Sequence, residues 1–269
     1  PKVDGTITLH DNSQVFTGTA AQMKAAFTGG LAGTQTGNVT ISDTSGTIAA
    51  TRLSAIGEQT NGTVTATGAI TVTGTTEEIT NALVTSSKLV VASNESAAVK
   101  FVGDNPTGAQ LALINPKVSG TITLADNAQV FTGTAAQMKA AFTGGLAGTQ
   151  TGAVTISDTS GTIAATTLTD ITGQTNGTVT AAASGITISG SATDLTAALV
   201  TTETNAVVAN GKVTITNTEG DVAATVLSAI GNSTGGTVTA TGAITVTGST
   251  EEITNALVTE SKLVVASNE

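Results

Sequence analysis

Five acids sit in contexts that make turns. Asp43 and Asp158 lie in Ser-Asp-Thr-Ser-Gly, Asp104 in Gly-Asp-Asn-Pro, and Glu219 and Asp221 in Thr-Glu-Gly-Asp. Ca²⁺ takes about six to eight hard oxygen ligands, and loops stacked one above another could gather such carboxylates around it. These five residues are therefore the calcium candidates, and calcium is the one candidate cofactor. Asp11-Asn12 and Asp126-Asn127 form a second set of the same kind. Neither the EF-hand spacing nor the Gly-Gly-x-Gly-x-Asp nonapeptide accompanies them. Asp, Asn, Ser and Gly are also ordinary turn formers, because their side chains bond to nearby backbone and they tolerate left-handed conformations.

Other chemistry is sparse. His10 is the single histidine, and its counterpart in the next long copy is Ala125. With no cysteine, thiolate metal sites, disulfides and His-dependent triads have no residues to build them. Glu77-Glu78 and Glu251-Glu252 resemble paired acid/base carboxylates, but adjacent helical positions point apart. Both pairs fall in a first helical turn, where acids meet the positive end of the helix dipole. The runs Thr63-x-Thr65-x-Thr67 and Thr237-x-Thr239-x-Thr241 could form a flat array of hydroxyls and methyls of the ice-binding kind. They also suit the solvent face of any half-buried strand. Asn38, Asn61, Asn176 and Asn232 match the N-glycosylation pattern, a common coincidence in a Thr-rich chain.

The elements that would hold these residues are repeated. Gly5, Gly62, Gly120, Gly177 and Gly236 each open a Gly-Thr-(Val/Ile)-Thr phrase, at intervals of 57, 58, 57 and 59 residues. The chain is accordingly divided into repeats 1–61, 62–119, 120–176 and 177–235, with a partial repeat over 236–269. Residues 1–51 nearly match 116–166, and 62–95 nearly match 236–269. Both ends therefore fall inside repeats, which leads us to expect a window onto a longer protein.

Within each repeat the spacing predicts two halves. Thr237 to Gly248 alternates apolar and polar residues around a Thr-Gly break, which reads as two short strands and a turn. Ser249 to Leu257 then carries a capping residue, first-turn acids and Ile253, Ala256 and Leu257 at helical spacing. In Val207 to Thr216, an Asn-Gly pair between two strand signals predicts a hairpin. The expected architecture is a β-rich repeat array with short helices, a solenoid-like stack of strand–turn–strand–helix half-repeats. The alternative is tandem small α+β domains with antiparallel hairpins, and periodicity does not choose between them.

Composition narrows the function classes. The charge of −10, from 19 acids and nine bases, offers no basic stripe for nucleic acid. It also disfavours an anionic membrane surface. No apolar run approaches the roughly 18 residues of a spanning helix, so no membrane insertion is expected. No signal peptide is present in these residues. Charged residues are 10%, against roughly 25% in ordinary globular proteins, and aromatics 2%.

The phrases Val154-Thr-Ile-Ser-Asp-Thr-Ser-Gly-Thr-Ile-Ala-Ala-Thr-Thr-Leu168 and Ile70-Thr-Val-Thr-Gly-Thr-Thr-Glu-Glu-Ile79 resemble the repeat regions of giant secreted or cell-surface bacterial proteins, especially cyanobacterial ones. The resemblance implies an extracellular adhesin, matrix or surface-layer component and supplies no functional residues. The expectation is a non-enzymatic extracellular structural protein that forms a fibre, surface coat or matrix by repeat stacking. It would self-associate through repeat ends or strand edges. The alternative is an adhesin-type binding module for calcium, glycan or ice.

Overall fold

The computed structural model describes residues 5–85, 89–91, 96–201, 205–259 and 263–265. Short strands and short helices alternate along the chain, which separates into two compact units: Pro1–Asp126 with Gly144–Gly148, and Asn127–Thr143 with Thr149–Glu269.

The first unit contains β1 (Phe16–Gly18), α1 (Ala20–Thr28), β2 (Val39–Ile41), β3 (Ser45–Ala49) and α2 (Ala50–Gly57). It continues with β4 (Val64–Ala66), β5 (Ala69–Gly74), α3 (Thr76–Thr80) and a π-helical turn Asn81–Thr85. Then come β6 (Leu89–Val91), β7 (Ala98–Phe101), α4 (Gly108–Ile114), a 3₁₀ turn Asn115–Lys117 and β8 (Ile122–Thr123). They form two four-stranded sheets, β1-β2-β4-β6 and β3-β5-β7-β8.

The second unit contains β9 (Phe131–Gly133), α5 (Ala135–Phe142), β10 (Val154–Ile156), β11 (Ser160–Ala164), α6 (Ala165–Thr172), β12 (Val179–Thr180), β13 (Gly185–Gly190) and α7 (Ala192–Leu199). It continues with β14 (Ala206–Val207), β15 (Lys212–Ile215), β16 (Glu219–Ala223), α8 (Ala224–Asn232), β17 (Val238–Ala240) and β18 (Ala243–Thr247). Last come α9 (Thr250–Thr254), a π-helical turn Asn255–Thr259 and β19 (Leu263–Val265). Its sheets are β14-β12-β10-β9, β11-β13-β15-β17-β19 and the pair β16-β18.

This is an α/β fold of short parallel sheets, and it corrects both expected architectures, the β-rich solenoid-like stack and the antiparallel hairpin domains. Every ladder among the described strands is parallel. A strand pairs with another 23 residues on (Phe16 to Val39) to 27 residues on (Thr71 to Ala98), with a helix between. That is the βα connection that parallel pairing demands. The two strands flanking Thr67-Gly68 do not pair with each other; β4 and β5 belong to different sheets.

The Asn210-Gly211 hairpin is likewise absent. β14 and β15 enter separate sheets, and Gly211 is not among the glycines with positive φ that a tight I′ turn needs. The local turn signal loses because each strand finds a closely similar sequence one connection away. Val39 pairs with Val64 and Val213 with Val238, each residue fully or almost fully buried. Such rows put like apolar side chains together on one face while Thr40 and Thr65 pair on the other.

The core is aliphatic. In the first unit Val39, Ile41, Leu53, Ile56, Val72 and Ile79 are completely buried; Val154, Leu168, Ile171, Ile188 and Leu195 are so in the second. Edge-to-face phenylalanine pairs, Phe16–Phe27 and Phe131–Phe142, hold α1 to β1 and α5 to β9 at centroid distances of 5.1 and 5.2 Å.

Three outermost strands, β3, β11 and β16, carry a glycine at their second position with φ near +100° (Gly46, Gly161, Gly220). Only glycine holds that conformation cheaply, and it bends an edge that would otherwise invite another strand.

Candidate functional site

The turn acids find their partners at helix N-termini. Asp43 Oδ2 accepts from the backbone N–H of Ala20 at 2.7 Å, the first residue of α1. Asp158 does the same for Ala135 at the start of α5 (2.7 Å), and Asp104 Oδ1 for Thr76 at the start of α3 (2.8 Å). Asn217 completes the series by accepting from Ala192 of α7 at 2.7 Å.

Each of these helices already has its own capping box. Thr19 with Gln22, Thr75 with Glu78, Thr134 with Gln137 and Ser191 with Asp194 satisfy two more N-terminal amides apiece. A helix start leaves about four N–H groups without intrahelical partners. The box takes some, and a side chain from 23 to 28 residues downstream takes another. α2, α6 and α8 follow a different plan, running straight on from a strand through Ala49, Ala164 and Ala223 with no side-chain cap.

The candidates thus serve separate helices. Asp43 and Asp158 are half-buried against their partners, whereas Asp104, Glu219 and Asp221 are exposed. Glu219 and Asp221 stand two residues apart on β16, and neither caps a helix in the manner of Asp43. Among the described residues no three of His, Asp and Glu come together as metal ligands.

In the second acid set, Asp11 accepts from the Ser13 hydroxyl (2.6 Å) and amide (2.8 Å), which hold its carboxyl below the usual aspartate range. Its counterpart turn is held from outside. Asn105 Oδ1 accepts from the amides of Ala125 (2.7 Å) and Asp126 (3.2 Å), and its Nδ2 donates to the Asp126 carbonyl (2.8 Å). His10 is exposed.

The structure adds a set of residues that sequence reasoning passed over. Thr60, Thr175 and Thr234 are buried, and each hydroxyl donates to a carbonyl 23 residues upstream: Gly37, Gly152 and Gly211. Each also accepts from the amide two residues on, at Gly62 (3.0 Å), Gly177 (2.9 Å) and Gly236 (3.1 Å). These are three of the glycines that open the repeat phrase. A Cβ on any of them would collide with the backbone of Gly37, Gly152 or Gly211. The glycine marks a contact of backbone on backbone, and the signal was its recurrence just after a Thr.

Two open grooves lie in equivalent places in the second unit. One of about 490 Å³ runs between α5 and the edge strand β11, over Ala135, Lys139, Asp158, Ile163 and Ala164. The other, about 430 Å³, runs between α7 and β16, over Ala192, Thr196, Asp221, Val222 and Ala223. Their floors are methyl groups and their walls mainly Thr, with one carboxylate in each. Lys139 beside the first groove pairs with Asp170 at 2.7 Å; both side chains are over 40% exposed, so the pair contributes at most about 1 kcal/mol. No family model, curated protein or solved structure matches this chain. Among the described residues no helix is long and apolar enough to cross a membrane.

Proposed function

We propose that the chain is a non-enzymatic structural repeat protein of the extracellular surface, forming a fibre, coat or matrix by stacking of its repeats. One observation carries this reading. Each strand pairs in parallel with a closely similar strand one connection away, as Val39-Thr40-Ile41 does with Val64-Thr65-Ala66. The surface a turn covers and the surface it offers are therefore of one kind. The residues that differ between copies, such as His10 against Ala125, lie outside this scheme. The helix caps and buried threonines, which link one turn to the next, persist from copy to copy. Repetition preserves the means of joining.

A second reading, an adhesin-type surface for glycan or ice, draws on Thr17, Thr40 and Thr65, and on Thr132, Thr155 and Thr180, which pair in outward-facing rows. Such rows present hydroxyls and methyls at the regular spacing of neighbouring strands. Electron microscopy of the purified protein with and without a chelator tests both. Filaments indifferent to chelation support the structural reading. Dispersed particles that adhere to a glycan-coated or ice surface would replace it with the second, and filaments that melt on chelation would point to calcium-organised adhesion.

A further inference from the structure

Nearly identical sequences are covered differently in their two copies, and the differences mark two unfinished faces. In the first unit β7 pairs with β5, and α4 packs on α3 and its π-turn. There Ile70, Val72 and Ile79 are at most 1% exposed and Leu83 is 5% exposed. In the second unit the same block recurs as β18, α9 and the turn Asn255–Thr259. Its Ile244, Val246 and Ile253 are only half-buried, Leu257 is 44% exposed and Val258 77%. Among the described strands β18 pairs with β16 alone.

The other face is the start of the first unit. Ile122 is fully buried because its strand lies between β7 and Leu146: Val99 pairs with it on one side, and the Val99 amide donates to the Thr121 carbonyl. Its counterpart Ile7 keeps only the Leu31 side and is 42% exposed. Gly120 abuts the Ala97 carbonyl, whereas its counterpart Gly5 has open space around it.

Both faces are thus ones that a single strand, β7, covers elsewhere in the chain, one with each of its edges. We propose that they cover each other in a second copy of this chain: β18 of one molecule pairs in parallel with the Thr6–Leu9 segment of the next. Val246 then stands beside Ile7, as Val72 stands beside Val99 and Val99 beside Ile122. The contact continues an interface the chain already makes. Its direction is set because the opposite edge of the β16-β18 pair carries Gly220 at positive φ. It joins unlike faces, so it does not close on itself and propagates head to tail.

The inference rests on the self-stacking reading above and can fail without it. Ile7→Asp blocks the head and Leu257→Asp the tail, each at a partly exposed position. Thr8→Pro and Val258→Glu block the same faces by different chemistry and must behave alike. By size-exclusion chromatography with light scattering, unmodified protein should form a ladder of oligomers. Each folded variant alone should be monomeric, and an equimolar mixture of a head and a tail variant should give dimers and stop there. Variants that assemble like unmodified protein, or a mixture that stays monomeric, overturn the head-to-tail face while leaving self-stacking intact. Unmodified protein that is monomeric at every concentration overturns both.

Discussion

Asp43 holds the first amide of a helix that began 23 residues earlier: its Oδ2 lies 2.7 Å from the Ala20 nitrogen. A charged acceptor at a helix N-terminus meets both an amide without an intrahelical partner and the positive end of the dipole. The same link recurs from Asp158 to Ala135, so the device belongs to the repeat.

Removing this acceptor should therefore loosen one turn from the next. Asp43→Ala or Asp158→Ala should destabilise its unit by about 0.5–2 kcal/mol, the range of lost helix caps. Asp43→Asn should cost less, because Asn217 performs the same task at Ala192. Urea denaturation measures both, and equal losses from Ala and Asn would contradict the capping role.

The repeat-opening glycines should separate by their surroundings. Gly62→Ala drives a Cβ into the backbone of Gly37 and should cost about 1–3 kcal/mol, as overpacking does. Gly5→Ala, in the same phrase, meets nothing within 4 Å and should be close to neutral. Thermal melting of the two variants decides; similar effects would show that the glycine serves the turn and not the contact.

Glu252 accepts from the Ser249 amide (2.8 Å) and hydroxyl (3.0 Å), which hold its carboxyl below the ordinary glutamate range. A depressed folded pKa contributes stability above the unfolded value, and that contribution is lost as pH falls through the folded one. Helix α9 should fray only under acid conditions below the normal glutamate range. Carboxyl carbon NMR should show Glu252 titrating low and moving upward in Ser249→Ala. An unchanged midpoint would remove the capping box as its cause.

Residues 69–83 and 243–257 test burial against sequence. They differ at one position, Thr75 against Ser249, yet the first copy is covered and the second is not. Hydrogen exchange in dilute protein should be slow over the first segment and faster over the second. Equal protection would contradict the unfinished face.

How far these features are legible in the sequence depends on the distance over which each is determined. Helices α3 and α9 are local: Thr75 with Glu78 and Ser249 with Glu252 announce the cap, and Ile79, Ala82 and Leu83 give the buried stripe. Strand positions are local too, since Val-Thr-Ile alternates wherever it occurs. Partners are not. Val39-Thr40-Ile41 fits Phe16-Thr17-Gly18 and Val64-Thr65-Ala66 alike, and only the closed chain shows that it pairs with both. Asn210-Gly211 misleads for the same reason, because its hairpin competes with pairings that lie outside any local window. The role of Asp43 was hidden by its span: no spacing rule connects a turn acid to an amide 23 residues upstream. Thr60 and Gly62 were visible as a recurring pair, but only the nearness of the Gly37 carbonyl explains the recurrence.

The central claim, that the chain is built to stack on its own kind without a metal, is tested most directly by sedimentation velocity of the unmodified protein over a wide concentration range, with and without a chelator. We expect the sedimentation coefficient to rise with concentration, to fall again on dilution, and to be the same in both buffers. A single monomeric species at every concentration would contradict the claim.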